Sequence, residues 1–130
     1  MSEAPRSLTL AETYDLHRTS LEEHGGSAGV REPGLVESAL ASAENAFWYG
    51  HGDLSEIAAA YAFHLAESQA FVDGNKRVGA AAALVFLAMN GFKVPTLADN
   101  ELYNSLIGIA EKRLTKADLA RLLRTWSEPN

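Results

Sequence analysis

The sequence predicts an all-α fold, and three observations support this prediction. Apolar residues recur at helical spacing along most of the chain, and no segment alternates apolar and polar residues convincingly, as a half-buried strand does. The longest uncharged run, residues 78–92, is too short to cross a bilayer and fits a buried helix. Because the chain has 130 residues and 47% of them are hydrophobic, we expect one domain at residues 8–126, between tails at 1–7 and 127–130.

Helix-start signals place the first two helices. Residues 9–12 (TLAE) form a capping-box sequence, which predicts a helix that runs to about Glu23, where the segment HGGSAG breaks it. An entry turn at residues 33–34 precedes a second, short helix. After that helix we expect an aromatic loop at residues 47–49 (FWY).

Apolar periodicity identifies the third and fourth helices. Asp53 and Glu56 are predicted to begin the third helix, whose apolar residues share one face. These apolar residues are Leu54, Ile57, Ala58, Tyr61, Ala62 and Leu65. The fourth helix, from about 75 to 90, is apolar on nearly all sides, so we expect it to be the central helix around which the others pack. Gly91 is expected to end it as a C-terminal cap.

Two more capping sequences complete the predicted bundle of about six helices. TLAD, from Thr96, and TKAD, from Thr115, each predict the start of an amphipathic helix. The preceding segment FKVPTL is limited to a short extended piece, because proline at position 95 cannot donate to a strand ladder.

Composition and charge exclude several kinds of function. The chain has no cysteine, so it carries neither a disulfide framework nor a thiolate metal site. Its formal net charge of −6 does not provide the basic surface of a nucleic-acid-binding protein, so we expect no direct nucleic-acid binding and any anion site to be local. The first residues contain no apolar signal stretch, which predicts a cytoplasmic location without a membrane partner.

A polar segment, residues 68–79 (SQAFVDGNKRVG), leads into the predicted central helix. A turn at Gly74 that feeds a helix N-terminus exposes backbone N–H groups, and the helix dipole adds partial positive charge there. Asn75 can donate from its side chain, while Lys76 and Arg77 add full positive charges. The pattern predicts a binding site for nucleotide phosphates.

Asp73 adds a metal to this prediction. A carboxylate would repel a bare phosphate, but it suits a Mg²⁺ ion that bridges to phosphate oxygens. The alternative is an ordinary surface turn beside two solvated cations. We favour the phosphate site because the whole string abuts a buried helix.

The segment AFVDGNKR resembles the core motif of the Fic/Doc superfamily, H-x-F-x-[D/E]-x-N-[K/G]-R. The segments GGSAGVREPGLVESAL and AAAYAFHLAESQAFVDGNKRVGAAAALVFLAMNG resemble its Doc, or death-on-curing, branch, the toxins of bacterial toxin–antitoxin modules. The similarity covers about residues 8–125. It implies a compact Fic-fold bundle of about six helices, with the motif on the loop and N-terminus of the central helix.

The resemblance also implies residue roles. Phe71 anchors the loop in the core, Asp73 binds the metal, Asn75 helps form the anion nest, and Arg77 contacts nucleotide phosphate. The implied nucleotide-binding set is Phe71, Gly74, Asn75, Lys76 and Arg77, and the implied catalytic set is position 69 with Asp73, Lys76 and Arg77. The implied cofactors are ATP and Mg²⁺.

Two positions favour the Doc branch. AMP-transferring Fic enzymes usually have glycine where this chain has Lys76, and a further arginine where it has Ala80. Members of the Doc branch resemble kinases that move the γ-phosphate of ATP to a threonine of elongation factor Tu and so block translation. Their partner is a Phd-type antitoxin. AMP transfer remains the alternative within the enzyme class.

The histidine that begins the family motif, a general base, is replaced here by Gln69. A glutamine amide has no usable basic lone pair near neutral pH. His64 lies about 140° around the helix from Gln69, at about 100° per residue, so we do not expect it to substitute. The remaining histidines, His17, His24 and His51, are expected to be solvent-exposed and distant from the loop.

Three explanations for Gln69 remain open. The chain is a toxin deliberately disabled at its base, a naturally degenerate toxin, or a working variant that relies on metal and positioning. A protein of a different class is also compatible with the loss: a catalytically silent Fic-fold protein that keeps nucleotide or antitoxin binding and acts in regulation.

Overall fold

The computed structural model describes residues 4–95 and 98–129, and within these residues it contains six α-helices and two short strands. The helices are α1 (Leu10–His24), α2 (Pro33–Trp48), α3 (Leu54–Ser68), α4 (Asn75–Met89), α5 (Ala98–Ala110) and α6 (Lys116–Trp126). Strands β1 (Phe92–Lys93) and β2 (Glu128–Pro129) pair antiparallel. The predicted all-α bundle is therefore confirmed. None of the helices in the described ranges is both long and apolar enough to cross a membrane.

Capping boxes start three of the helices where the sequence predicts them. At α1, the Thr9 hydroxyl accepts a hydrogen bond from the Glu12 N–H at 3.1 Å, and the Glu12 carboxylate accepts from the Thr9 N–H at 2.8 Å. Helices α3 and α6 begin with the same reciprocal pair, Asp53 with Glu56 and Thr115 with Asp118. Each cap is worth about 1 kcal/mol, because it satisfies donors that the helix itself leaves free.

Two other predictions about element boundaries are not confirmed in the same way as the capping boxes. The expected aromatic loop is wrong in part: α2 continues through Phe47 and Trp48, and only Tyr49 lies beyond it, as its C-cap. No glycine or proline interrupts the chain between Gly34 and Gly50, so nothing stops the helix earlier. The predicted cap at Thr96 lies outside the described residues.

Helix α4 lies at the centre of the bundle, as predicted, and α3 shares that position. Helix α3 packs against α2, α4, α5 and α6, while α4 packs against α1, α3, α5 and β1. The two central helices approach closely at Gly79, where an added Cβ would lie 2.6 Å from the Ala62 carbonyl oxygen. The loop between α3 and α4, residues 69–74, is therefore held at both ends by the core of the molecule.

Candidate active site

The loop that joins α3 to α4 turns through two left-handed residues. Gln69, the C-cap of α3, has φ 57° and ψ 30°, and Gly74, the N-cap of α4, has φ 76° and ψ 20°. Glycine adopts this region without a steric penalty, whereas a glutamine is strained there. Position 69 is thus conformationally demanding, and its side chain is exposed.

Asn75 closes the loop from the first position of α4. Its Oδ1 accepts a hydrogen bond from the Phe71 N–H at 3.1 Å, and its Nδ2 donates to the Phe71 carbonyl at 3.1 Å. The side chain is buried, and both of its polar atoms bind the loop backbone. Asn75 therefore shapes the loop through its side chain, and its backbone N–H is the first of α4.

Phe71 lies beneath the loop, where its ring is fully buried. It stacks on His17 with ring centroids 3.8 Å apart and meets Tyr14 edge-on at 6.0 Å. His17 Nε2 lies 2.7 Å from the Asp73 carbonyl oxygen. Because a carbonyl only accepts, this nitrogen carries the proton and donates it. The Phe71 ring consequently packs the loop against α1 and does not line the cavity.

The expectation for His17 is wrong. This side chain is only 5% exposed and supports the motif loop directly. The contact joins residues 56 positions apart, because α1 runs under the loop. The sequence predicts the helix that contains His17, but it does not predict the loop packed against that helix.

A second segment, residues 25–32, is hydrogen-bonded along the outer side of the loop between α3 and α4. The N–H groups of Arg31 and Glu32 donate to the Ala70 carbonyl, and the Val72 N–H donates to the carbonyl of residue 29. The Ser27 N–H donates to Asp73 Oδ2 at 3.2 Å. The glycine-rich segment after α1 is thereby fixed as one wall of the site.

These elements enclose a cavity of about 550 Å³. Of the seven residues predicted for the site, six line it: Gln69, Asp73, Gly74, Asn75, Lys76 and Arg77. A larger cavity of about 1030 Å³, lined in part by Phe47 and Trp48, contains none of them. We place the site in the smaller cavity because it combines the N-terminus of α4 with two cations.

The electrostatics of this cavity favour an anion. The first N–H groups of α4, at positions 75–77, have no intrahelical acceptor, and no side chain of residues 4–95 or 98–129 caps them. Lys76 and Arg77 are half-buried, and neither makes an ion pair with a carboxylate in the part of the chain that the structure describes. Arg77 instead lies over the ring of Tyr103, 3.5 Å from its centroid. A local positive site thus exists in a protein of net charge −6.

Asp73 is the acid available to a metal in this cavity. Its Oδ1 accepts from the Gly74 N–H at 3.0 Å, its Oδ2 accepts from the Ser27 N–H, and the residue is exposed. Among the described residues, no three histidines or acids cluster closely enough to hold a metal alone. A metal at Asp73 would take its other ligands from phosphate and water, and this donor set fits Mg²⁺.

Two of the lining residues outside the predicted set, His24 and Tyr103, have side chains that can donate or accept hydrogen bonds. His24 is exposed, as expected, but it lines the same cavity as Gln69 instead of lying far from the loop. Its Nε2 is 4.0 Å from the nearer carboxylate oxygen of Asp99. Tyr103 arrives from α5. No local pattern pointed to either residue, because the chain brings them to the cavity only through helix packing.

His64 lies outside the cavity, which agrees with its predicted position on the far side of the helix from Gln69. It is half-buried, packs edge-on against Phe63 with centroids 5.1 Å apart, and does not line the cavity. Burial and, to a smaller extent, the charge of Lys116 lower the pKa of His64. His51 is exposed, as expected, and belongs to the larger cavity.

Comparison with known proteins agrees with this architecture. Toxin Doc of Mycolicibacterium smegmatis is 42% identical over 73 residues, which cover 54% of this chain and 55% of that protein. The match therefore spans about half the length of that curated relative. A model of the Fic/DOC family matches residues 7–87, a segment that includes α1, the glycine-rich wall, the motif loop and most of α4. Since that segment is more than half of the chain, the protein belongs to the Fic/DOC family.

Proposed function

We propose that this chain is a Doc-type toxin whose cavity binds ATP with Mg²⁺ and directs the γ-phosphate to a protein hydroxyl. The observation that carries the proposal is the N-terminus of α4, which brings unbonded N–H groups, Lys76 and Arg77 to one cavity beside Asp73. The target that the family resemblance implies is a threonine of elongation factor Tu, and the implied partner is a Phd-type antitoxin. The name of the relative, Toxin Doc, supports the toxin assignment.

Each lining group has a distinct task in this proposal. The α4 N–H groups and the Arg77 guanidinium hold phosphate oxygens, the latter through paired donors in a fixed fork. Lys76 adds a point charge where negative charge develops during transfer. Mg²⁺, held by Asp73 and phosphate oxygens, would neutralise charge on the transferred group. His17 and Asn75 keep the loop in the shape that these contacts require.

Transfer of the γ-phosphate is favoured over AMP transfer by two side chains. Lys76 lines the cavity where AMP-transferring relatives usually have glycine. Ala80, at the position of their additional arginine, is fully buried and offers no charge to a second phosphate. AMP transfer remains the alternative chemistry for the same site.

Gln69 sets the level of activity that we expect. The side chain lines the cavity at the position of the family's base, but a neutral amide cannot accept the proton of an attacking hydroxyl. Absence of a positioned base typically lowers the rate by about 10²–10⁴-fold. The protein as it stands is therefore a weakened enzyme. A second candidate function, favoured by Gln69 alone, is a silent protein that binds nucleotide or antitoxin.

The decisive experiment compares the chain with its Gln69→His variant, each expressed without antitoxin. Growth is followed in cells, and label transfer to elongation factor Tu is measured in vitro with γ-labelled and with α-labelled ATP. Gln69→Asn is the matched control, because it changes the same position and adds no base. Asp73→Asn in the Gln69→His background tests the carboxylate.

We expect toxicity and γ-label transfer in Gln69→His, weak or no transfer with Gln69 or Asn, and loss of transfer when Asp73 is also changed. Transfer of the α-label would establish AMP transfer instead. A Gln69→His protein that is harmless and transfers neither label would contradict the enzyme and favour the binding protein. If the unaltered chain is active, His24→Gln shows whether the His24 imidazole, which lines the same cavity, supplies the base.

A further inference from the structure

Arg77 is held in the cavity by an aromatic ring instead of by an acid. Its guanidinium carbon lies 3.5 Å from the centroid of the Tyr103 ring, and both residues are half-buried and line the same cavity. Asp99, one turn earlier on α5, lines a neighbouring cavity together with Arg77, yet makes no ion pair with it. Arg77, on the motif helix α4, therefore meets α5 through a cation–π contact and not through an ion pair.

The kind of contact matters for phosphate binding. A carboxylate that bound the guanidinium would occupy two of its N–H donors and neutralise its charge. An aromatic face attracts the cation through the ring quadrupole and leaves the donors at the edge of the guanidinium plane free. The aromatic contact therefore restricts the rotation of Arg77 and preserves the positive charge and the N–H donors that bind a phosphate.

We infer that Tyr103 is a positioning residue that holds the Arg77 guanidinium flat against α5, with its donors directed to a phosphate group in the cavity. This inference rests on the proposed nucleotide function and extends it to a residue outside the motif. Tyr103 also lies beyond the segment that matches the Fic/DOC family, which ends at residue 87.

The test is a double-mutant cycle on binding of ATP with Mg²⁺, measured by calorimetry. Tyr103→Leu removes the ring and keeps a comparable apolar volume, whereas Tyr103→Phe keeps the ring. Each change is made with Arg77 and with Arg77→Gln. The helical circular dichroism signal and the Tm of every variant show that it is folded.

We expect Tyr103→Leu to weaken binding about two- to fivefold, the factor for one partly exposed cation–π contact. Tyr103→Phe should bind like the unaltered chain, and Tyr103→Leu should have no further effect once Arg77 is glutamine. In the active Gln69→His background, the KM for ATP should rise while kcat stays constant, because the contact serves ground state and transition state alike. A partly misfolded variant would instead have a lower kcat, because only a fraction of its molecules would be active.

Three results would overturn the inference: unchanged binding in Tyr103→Leu, equal losses in the phenylalanine and leucine variants, or an undiminished loss without Arg77. The ligand-free protein separates this inference from the proposed function. The Arg77 Nε–H resonance should show a ring-current shift that persists in Tyr103→Phe and disappears in Tyr103→Leu. If the chain binds no nucleotide, the proposed function fails, and this resonance alone decides whether Tyr103 positions Arg77.

Discussion

Replacing Gln69 with glycine should stabilise the protein, although it removes a side chain from the candidate active site. The left-handed backbone at φ 57°, ψ 30° destabilises a residue that carries a Cβ by roughly 1–2 kcal/mol. Glycine avoids this strain but loses roughly 0.5–1 kcal/mol through the greater freedom of its unfolded state. The Gln69 side chain is exposed, so little packing is lost. We expect a net gain of about 0.5–1 kcal/mol in the free energy of unfolding.

Urea and thermal unfolding measure this gain. For a domain of this size, the expected increase corresponds to a Tm about 2–4 °C higher. Gly79→Ala is the control of opposite sign: alanine is the better helix former, but its Cβ would lie 2.6 Å from the Ala62 carbonyl oxygen. We expect that change to destabilise by about 1–3 kcal/mol. The reasoning is refuted if Gln69→Gly lowers the Tm, since the side chain would then stabilise the loop.

The result also bears on the activity experiment. Histidine and asparagine are several-fold enriched among the non-glycine residues found in the left-handed region. Gln69→His and Gln69→Asn should therefore be at least as stable as the unaltered chain. A gain of transfer in Gln69→His then reflects the imidazole and not a larger folded fraction.

Further predictions concern the supports of the loop and one histidine outside it. Asn75→Ala leaves the buried N–H and carbonyl of Phe71 without partners and should destabilise by about 2–4 kcal/mol, measured by urea unfolding, with loss of ATP binding. His17→Phe keeps an aromatic ring under the loop but removes the donor to the Asp73 carbonyl; we expect weaker binding of ATP with Mg²⁺ in calorimetry and a folded protein by circular dichroism, whereas unchanged affinity would show that the hydrogen bond does not set the loop. His64 has a lowered pKa in the folded state, so its contribution to stability is complete above its ordinary pKa of 6.5 and is lost as the pH falls through the lower folded value. The urea midpoint should therefore fall less in His64→Gln than in the unaltered chain between about pH 7.5 and 5.5, and equal falls would contradict this assignment.

The parts of the fold that depend on neighbouring residues were predictable from the sequence. The capping box at Thr9 uses two side chains three positions apart, so the sequence alone contains both partners. The same is true of the turn at Gly74 and of the cations that follow it. By contrast, no sequence signal marks the end of α2. Residues 47–49 are predicted to form a loop, but the helix continues through Trp48.

The parts of the site that depend on packing between helices were not predictable in the same way. His17 meets the Asp73 carbonyl across 56 positions, and Tyr103 meets Arg77 from a helix beyond β1. Either residue, viewed within its own helix, is an ordinary member of an amphipathic pattern. Each residue belongs to the site because of the element packed against it, and the sequence of its own helix does not specify that element.

The structure separates the groups that shape and charge the cavity from the group that should accept the proton. The loop is held by Asn75, by His17 and by the segment around Ser27, and none of these contacts involves the side chain of Gln69. In the proposed function, phosphate binding therefore does not require a base at position 69, whereas transfer is faster with one. A weakened toxin and a silent binding protein of this fold therefore share one binding site and the same Gln69, and they differ in whether histidine at position 69 produces transfer. Affinity for ATP cannot distinguish them, and only the restored imidazole can.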